Sequence, residues 1–100
     1  MTRDANSLAS ARAALAELEG DHSTALDRYE DAVGRWATFP SVLEHGHALA
    51  GVGRCLLALG RPDNACDKLR SARERYASLG AWPLVAEVDD LLAVATAKTS

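Results

Sequence analysis

The stretch LAGVGRCLLALGRPDNACDKLRSA, residues 49–72, decides the fold class of this chain. Its first half spaces large apolar side chains three or four residues apart, as on one face of an α-helix. These side chains are Leu49, Val52 and Leu56. Gly60 then ends the pattern, and Pro62 follows where a second helix can begin, because proline fits the first helical turn. The second half repeats the helical spacing with smaller residues, so the stretch predicts two helices joined by a tight turn.

The same spacing continues on both sides of this stretch and predicts three further helices. The five predicted helical segments are residues 6–19, 22–38, 41–59, 62–79 and 83–97. Asp21 is placed to cap the second segment, and Ser41 with Glu44 fits a capping box at the start of the third. No stretch alternates apolar and polar residues with period two, so no strand is predicted. The expected fold class is all-α.

The composition is that of a small folded domain. The chain has 100 residues, of which 48% are hydrophobic and 25% charged, as in soluble globular proteins. The net charge of −3 provides no positive field to attract nucleic acid or an anionic membrane. The apolar runs are far shorter than the ~18 residues of a membrane span, and the start of the chain has no apolar signal core. Two cysteines cannot form a disulfide framework. We therefore expect a cytoplasmic protein without membrane contact.

Self-comparison reveals an internal repeat. A shift of 40 residues superposes Gly20 on Gly60, and Ala25-x-x-x-Tyr29-x-x-Ala32 on Ala65-x-x-x-Leu69-x-x-Ala72. A shift of 43 residues superposes Pro40, Glu44, Leu49 and Ala50 on Pro83, Glu87, Leu92 and Ala93. A period of this size is typical of stacked helical repeats. We expect one domain over residues 1–100, made of two helix–turn–helix repeats at about 6–38 and 41–79 and a C-terminal helix at about 83–97.

The second repeat resembles the tetratricopeptide repeat (TPR). The resemblance lies in Leu49-x-x-Val52-Gly53-x-x-Leu56-x-x-x-Gly60-x-x-x-x-Ala65-x-x-x-Leu69-x-x-Ala72. It implies an α-α superhelix in which small residues let antiparallel helices approach closely, with Gly53 facing Ala65. The Ala- and Arg-rich units are similar to the C-terminal repeat arrays of bacterial ATP-binding LuxR-type regulators and cyclase-linked ATPases. The function implied is that of a protein–protein interaction module or scaffold in a bacterial regulatory protein.

The resemblance also implies a concave groove, lined by the first helix of each repeat, that binds a peptide or helix of a partner protein. The residues at the groove positions are Ser10, Ala14, Glu17, His47, Ala50, Arg54, Leu57 and Asp90. Arg54 and His47 are the expected polar anchors. Chaperone-binding members use a Lys/Asn/Arg clamp for a C-terminal carboxylate. Its positions hold Ser10, Ala14 and Gly51 here, so that activity is not expected.

Catalytic and metal-binding patterns are missing from the sequence. His45 and His47 point roughly 200° apart on a helix and cannot share a metal ion. No serine has a base at a telling spacing, and no glycine-rich phosphate loop is present. We therefore predict no enzyme activity, no metal and no cofactor. The alternative is a ligand sensor or enzyme in a helical bundle, for which Glu17, His47, Arg54 and Asp90 would have to converge.

A second alternative is nucleic-acid binding through the helix that carries Arg70, Arg73 and Arg75. Asp67 and Glu74 lie at the i, i+3 and i, i+4 positions that compensate this charge locally. No aromatic residues alternate with the arginines as a base-stacking platform requires. A solvated helix face is the favoured interpretation.

The remaining apolar residues predict packing surfaces. Cys55 and Cys66 are expected to act as small buried hydrophobic residues. Trp36, Phe39 and Trp82 lie at junctions between repeats and are expected to fill the space between them. The last helix carries apolar residues on more than one face. We therefore predict that residues 83–97 contact a second copy or the remainder of a longer chain.

Overall fold

A computed structural model of the protein describes residues 3–37 and 41–99, and the elements within these ranges are all α-helices. The five helices are α1 (Arg3–Leu18), α2 (His22–Ala37), α3 (Val42–Ala58), α4 (Pro62–Ser78) and α5 (Trp82–Thr99). Each corresponds to one predicted segment and differs from it by at most three residues at either end. The all-α prediction is confirmed. The predicted end of the second segment at residue 38 lies outside the described residues.

Helices α1, α3 and α4 end in the same kind of turn. Each is followed by a glycine with positive φ: 79° at Gly20, 77° at Gly60 and 68° at Gly80. After α3, the Gly60 N–H donates to the carbonyl of Leu57 (3.1 Å) and the Arg61 N–H to that of Leu56 (2.8 Å). This pair of bonds is the Schellman motif, which glycine permits because it has no Cβ. The same pair closes α1 and α4, so successive helices reverse direction within a few residues.

The two predicted helix caps have different outcomes. The Thr24 N–H donates to Asp21 Oδ1 at 3.2 Å, which confirms Asp21 as a cap of α2. This hydrogen bond lowers the pKa of the Asp21 carboxyl. Ser41 is the N-cap residue of α3 with an extended backbone, but its side chain makes no capping hydrogen bond. The predicted capping box at Ser41 and Glu44 is therefore wrong.

The helices form two layers. Each helix packs against the next along the chain, and α3 also contacts α1 and α5. Among the described residues, no Cα atom of α2 lies within 8 Å of one of α4. The protein measures 41 × 31 × 18 Å, and its thickness is about two helix diameters. One layer therefore contains α1, α3 and α5, more closely spaced than α2 and α4 in the other.

Three glycines let neighbouring side chains lie directly on the backbone of the central helix α3. A Cβ at Gly51 would lie 2.5 Å from Cδ1 of Tyr29, on α2, and one at Gly53 would lie 2.5 Å from Cδ2 of Leu69, on α4. A Cβ at Gly46 would lie 3.0 Å from Cε1 of Tyr76, on α4. At Gly53 the three nearest atoms all belong to Leu69, which lies one helical turn further along α4 than Ala65, the residue expected to face this glycine.

The core contains small residues and a few large ones. Trp36 is 1% exposed and packs with Ala32 and Ala48, as predicted for a residue between repeats. Trp82 is 62% exposed, so its predicted packing role is wrong, and Phe39 lies outside the described residues.

The two cysteines lie in the core as free thiols. Cys55 and Cys66 are both buried and belong to one hydrophobic cluster. Burial raises the pKa of the Cys55 thiol to about 11. The thiol therefore stays protonated near neutral pH, and the residue packs as a small apolar side chain.

Candidate functional site

An open groove of about 400 Å³ lies between α1 and α3, the first helices of two helical hairpins, α1–α2 and α3–α4. Its lining residues are Ser10, Ala11, Ala14, Tyr29, Glu44, His47, Ala48 and Arg54. Four predicted groove residues are thus in one place: Ser10, Ala14, His47 and Arg54. The α1 side is made of small residues because Ala11 and Ala14 expose their methyl groups there. The α3 side carries the larger polar groups.

A three-residue polar cluster connects both hairpins at one end of the groove. Glu17, on α1, accepts hydrogen bonds from Arg54, on α3: Nε to Oε2 at 2.8 Å and Nη2 to Oε1 at 3.0 Å. The Tyr29 hydroxyl, on α2, donates to Glu17 Oε1 at 2.7 Å. The Arg54 guanidinium carbon lies 5.8 Å from the centre of the Tyr29 ring. One carboxylate therefore receives three hydrogen bonds from two helices.

The hydrogen bonds of the cluster favour the charged forms of Glu17 and Arg54. Burial of Glu17 raises the pKa of its carboxyl, but the hydrogen bonds from Arg54 and Tyr29 outweigh it, and the pKa falls below its usual value. The hydrogen bond to Glu17 likewise raises the pKa of Arg54. Burial and the bond to Glu17 raise the pKa of the Tyr29 hydroxyl to about 12. At neutral pH the cluster is an ion pair with a protonated phenol.

The other polar groove residues are also engaged within the protein. Nδ1 of His47 and the hydroxyl of Tyr76, on α4, are hydrogen-bonded at 2.7 Å, and their rings meet edge to face at 5.4 Å. Burial raises the pKa of the Tyr76 hydroxyl to about 12. Ser10 Oγ accepts a hydrogen bond from Trp36 Nε1 at 2.9 Å. The expected anchors Arg54 and His47 are thus already bonded to residues of the chain itself.

The remaining predicted groove residues lie elsewhere or act indirectly. Ala50 is 3% exposed and part of the core, so its prediction as a groove residue is wrong. Leu57 is half-buried and packs against the same core. Asp90 is exposed on α5 but does not line the groove. Glu17 does not line the groove itself but is hydrogen-bonded to Arg54, which does.

Sequence reasoning missed Tyr29, which lies on α2 and not on a first helix. Its position between Ala25 and Ala32 predicted only a core ring. The available signal was chemical: a buried tyrosine hydroxyl needs a hydrogen-bond partner, and Glu17 and Arg54 are polar residues on the adjacent helices.

The four residues of the enzyme alternative converge only in part. Glu17 pairs with Arg54, His47 lies in the same groove bonded to Tyr76, and Asp90 is not among them. Within residues 3–37 and 41–99, no group of three or more His, Cys, Asp or Glu side chains could hold a metal ion.

The arginines of the nucleic-acid alternative each have a partner nearby. Arg70 lies 3.8 Å from Asp67, and Arg73 pairs with Asp89, on α5, at 2.7 Å. Arg75 donates from Nε to Nδ1 of His45, on α3, at 3.0 Å. Because Glu74 Oε2 also lies 4.0 Å from Nη1 of Arg75, each of the three arginines has a carboxylate beside it.

A second cleft, of about 390 Å³, opens along α1 and α2 and is lined by Arg12, Arg28 and Leu15 among others. It is built from one hairpin only, whereas the groove lies between helices of two hairpins and is lined by Arg54 and Tyr29 of the polar cluster. We therefore regard the groove as the candidate site.

In the described part of the chain, no helix has both the length and the apolar character needed to cross a membrane. Comparison of the chain with protein-family models, with curated proteins and with solved structures finds no match.

Proposed function

We propose that the chain is a TPR-like helical repeat module that binds a peptide or helix of a partner protein in the groove between α1 and α3. One observation carries the proposal: an open groove lies between the first helices of successive hairpins, with exposed small side chains along one wall. Small side chains let another backbone approach closely.

The arrangement of the helices supports the repeat interpretation. The turns after α1 and α3 have the same hydrogen bonds, in agreement with the sequence shift of 40 residues. In a curved stack of hairpins, helices on the concave side are closer together than those on the convex side. Here α3 contacts α1 and α5 while α2 and α4 stay apart, so α1, α3 and α5 are on the side expected to be concave.

The polar lining supports a protein partner more than a small substrate. Arg54, His47 and Ser10 are engaged with other side chains of the chain, whereas a catalytic or sensor pocket needs polar groups directed at its ligand. A segment packed against the Ala11 and Ala14 side of the groove needs no such groups.

The parent protein and the outer contacts belong to the same proposal. We propose that the module is the C-terminal part of a bacterial signalling or transcription-regulatory protein in the cytoplasm, a view supported by the sequence resemblance. We also propose that residues 83–97 contact a second copy of the chain. The support is that Val94 is 47% exposed on this helix.

The groove is tested by blocking it. Ala14→Arg places a large charged side chain at the exposed α1 wall, and Ala86→Arg makes the same change at an exposed position of α5 outside the groove. Both tagged variants and the native protein are used to capture partners from the native host. We expect a partner of the native protein to be lost with Ala14→Arg and retained with Ala86→Arg. Equal capture by both variants would exclude the groove as the binding surface.

A further inference from the structure

The groove contains a carboxylate-binding arrangement that the chain fills with its own side chain. Arg54 and Tyr29 donate three hydrogen bonds of 2.7–3.0 Å to the two oxygens of Glu17. Arginine binds carboxylates in this two-pronged way because its N–H groups match the spacing of the two oxygens. A partner's carboxylate could form this same arrangement with Nε, Nη2 and the Tyr29 hydroxyl only in place of Glu17.

The donors are held in place by packing. The Tyr29 ring lies against the α3 backbone at Gly51, and the Arg54 guanidinium lies near the face of that ring. The Arg54 side chain is 40% exposed and lines the groove, whereas that of Glu17 is 22% exposed. A molecule in the groove can therefore reach Arg54, and Glu17 occupies its more buried side.

The charge of Glu17 decides what the groove accepts at this point. With Glu17 ionised, the charge of Arg54 is compensated and its Nε and Nη2 are engaged, so an incoming carboxylate meets the negative charge of Glu17 and finds only the Nη1 side of the guanidinium. We infer that Glu17 is a specificity-determining residue of the groove, which makes it select segments without a carboxylate at Arg54. For the partner segment, this inference rests on the proposed function. Removal of the Glu17 charge converts Arg54 and Tyr29 into a carboxylate site.

The first test uses acetate as the probe and needs no partner protein. Acetate is titrated into native protein, Glu17→Gln and Glu19→Gln, and the NMR signal of the Arg54 Nε–H group is followed. Glu19 is the matched control because it is an exposed glutamate two residues further along that does not contact Arg54. We expect Glu17→Gln to bind acetate at least about tenfold more tightly than the other two, because it gains a charge-assisted pair. Equal responses in all three proteins would overturn the inference.

Two further controls assign the acetate response. Adding Arg54→Gln to Glu17→Gln should abolish the tighter binding, and retention of it would place the acetate elsewhere and contradict the inference. Tryptophan fluorescence, to which the buried Trp36 contributes, and a thermal melt verify that each variant is folded. Glutamine keeps the length of glutamate and one acceptor oxygen, so it disturbs the packing little.

The second test uses two labelled helical alanine-based peptides with blocked ends, identical except for a central Glu or Gln. Fluorescence anisotropy measures their binding to native protein and to Glu17→Gln. We expect native protein to prefer the Gln peptide and the variant the Glu peptide. Native protein that prefers the Glu peptide or binds both equally would overturn the inference without any variant. If neither peptide binds native protein, the result counts against the proposed function, and the acetate titration still decides the role of Glu17.

Discussion

At the scale of single residues, the polar cluster depends on a glycine that takes no part in its chemistry. The space above the Gly51 backbone is filled by the Tyr29 ring. The hydroxyl of that ring donates a hydrogen bond to Glu17. A side chain at position 51 would move the ring and, with it, the hydroxyl.

We predict that Gly51→Ala destabilises the protein by roughly 1–3 kcal/mol, the usual cost of overpacking a core. The added methyl would lie 2.5 Å from Cδ1 of Tyr29, which has no room to retreat because it is 6% exposed. Urea denaturation measures the free energy of unfolding. Gly34→Ala is the matched control, because its Cβ meets nothing within 4 Å in α2. It should stabilise the protein by up to about 1 kcal/mol through helix propensity. A Gly51→Ala protein as stable as the Gly34→Ala control would show that the ring can shift freely.

The groove positions were implied by the resemblance to the TPR, and the structure places four of them, Ser10, Ala14, His47 and Arg54, along one groove. Their role in binding a partner stays a prediction. The burial of Ala50 and the pairing of Glu17 with Arg54 could not be predicted in this way. Both depend on how three helices are rotated against each other, which a single-helix pattern does not contain.

At the scale of helices, α3 and α4 are joined by a polar contact that depends on pH. Arg75 Nε donates to Nδ1 of His45, which must be neutral to accept. Burial and the nearby positive charge of Arg75 lower the pKa of His45 in the folded protein. Below about pH 6.5, the ordinary pKa of histidine, the unfolded chain therefore binds more protons than the folded one, and the free energy of unfolding decreases as the pH falls.

We predict that His45→Gln reduces this loss of stability between about pH 7 and pH 5, because glutamine does not titrate. Urea denaturation at a series of pH values provides the measurement. His22→Gln is the control, since it removes a histidine from α2 and leaves the contact between His45 and Arg75 intact. If the stability of His45→Gln follows the same pH curve as that of the native protein, the contact does not contribute to it.

The boundaries of the helices could be predicted because the turns are local. Gly60 ends α3 by its own conformational freedom, and Asp21 caps α2 through an amide three residues away. Predictions that needed the partner helix had mixed outcomes: Trp36 packs on a neighbouring helix as predicted, whereas the predicted packing of Trp82 was wrong. The exposure of Trp82 and the contact of Gly53 with Leu69 depend on the depth to which one helix packs into another.

At the scale of the whole molecule, the terminal helices carry much of the exposed apolar surface. Val94 on α5 is 47% exposed, and on α1 Leu8, Leu15 and Leu18 are 51%, 58% and 86% exposed. Helix α5 packs on α4 and the edge of α3. The exposed Val94 belongs to the face of α5 that these contacts leave uncovered.

We predict that the protein self-associates through α5, so that its sedimentation coefficient rises with protein concentration. Val94→Glu should suppress the rise, because association would bury the new charge. Leu18→Glu, the same type of change at the end of α1, is the matched control and should leave the rise unchanged. A constant monomer in all three proteins would rule out a second copy as the occupant of this face.

The glycines of α3 have a consequence for the order in which the protein forms. Each glycine in a helix interior costs about 1 kcal/mol relative to alanine, and α3 contains three of them, Gly46, Gly51 and Gly53. The isolated segment is therefore a poor helix. It becomes helical only when aromatic rings and branched side chains from both flanking helices cover it. Loss of either flanking helix, α2 or α4, should therefore unfold α3 as well. The two hairpins should then unfold as one cooperative unit.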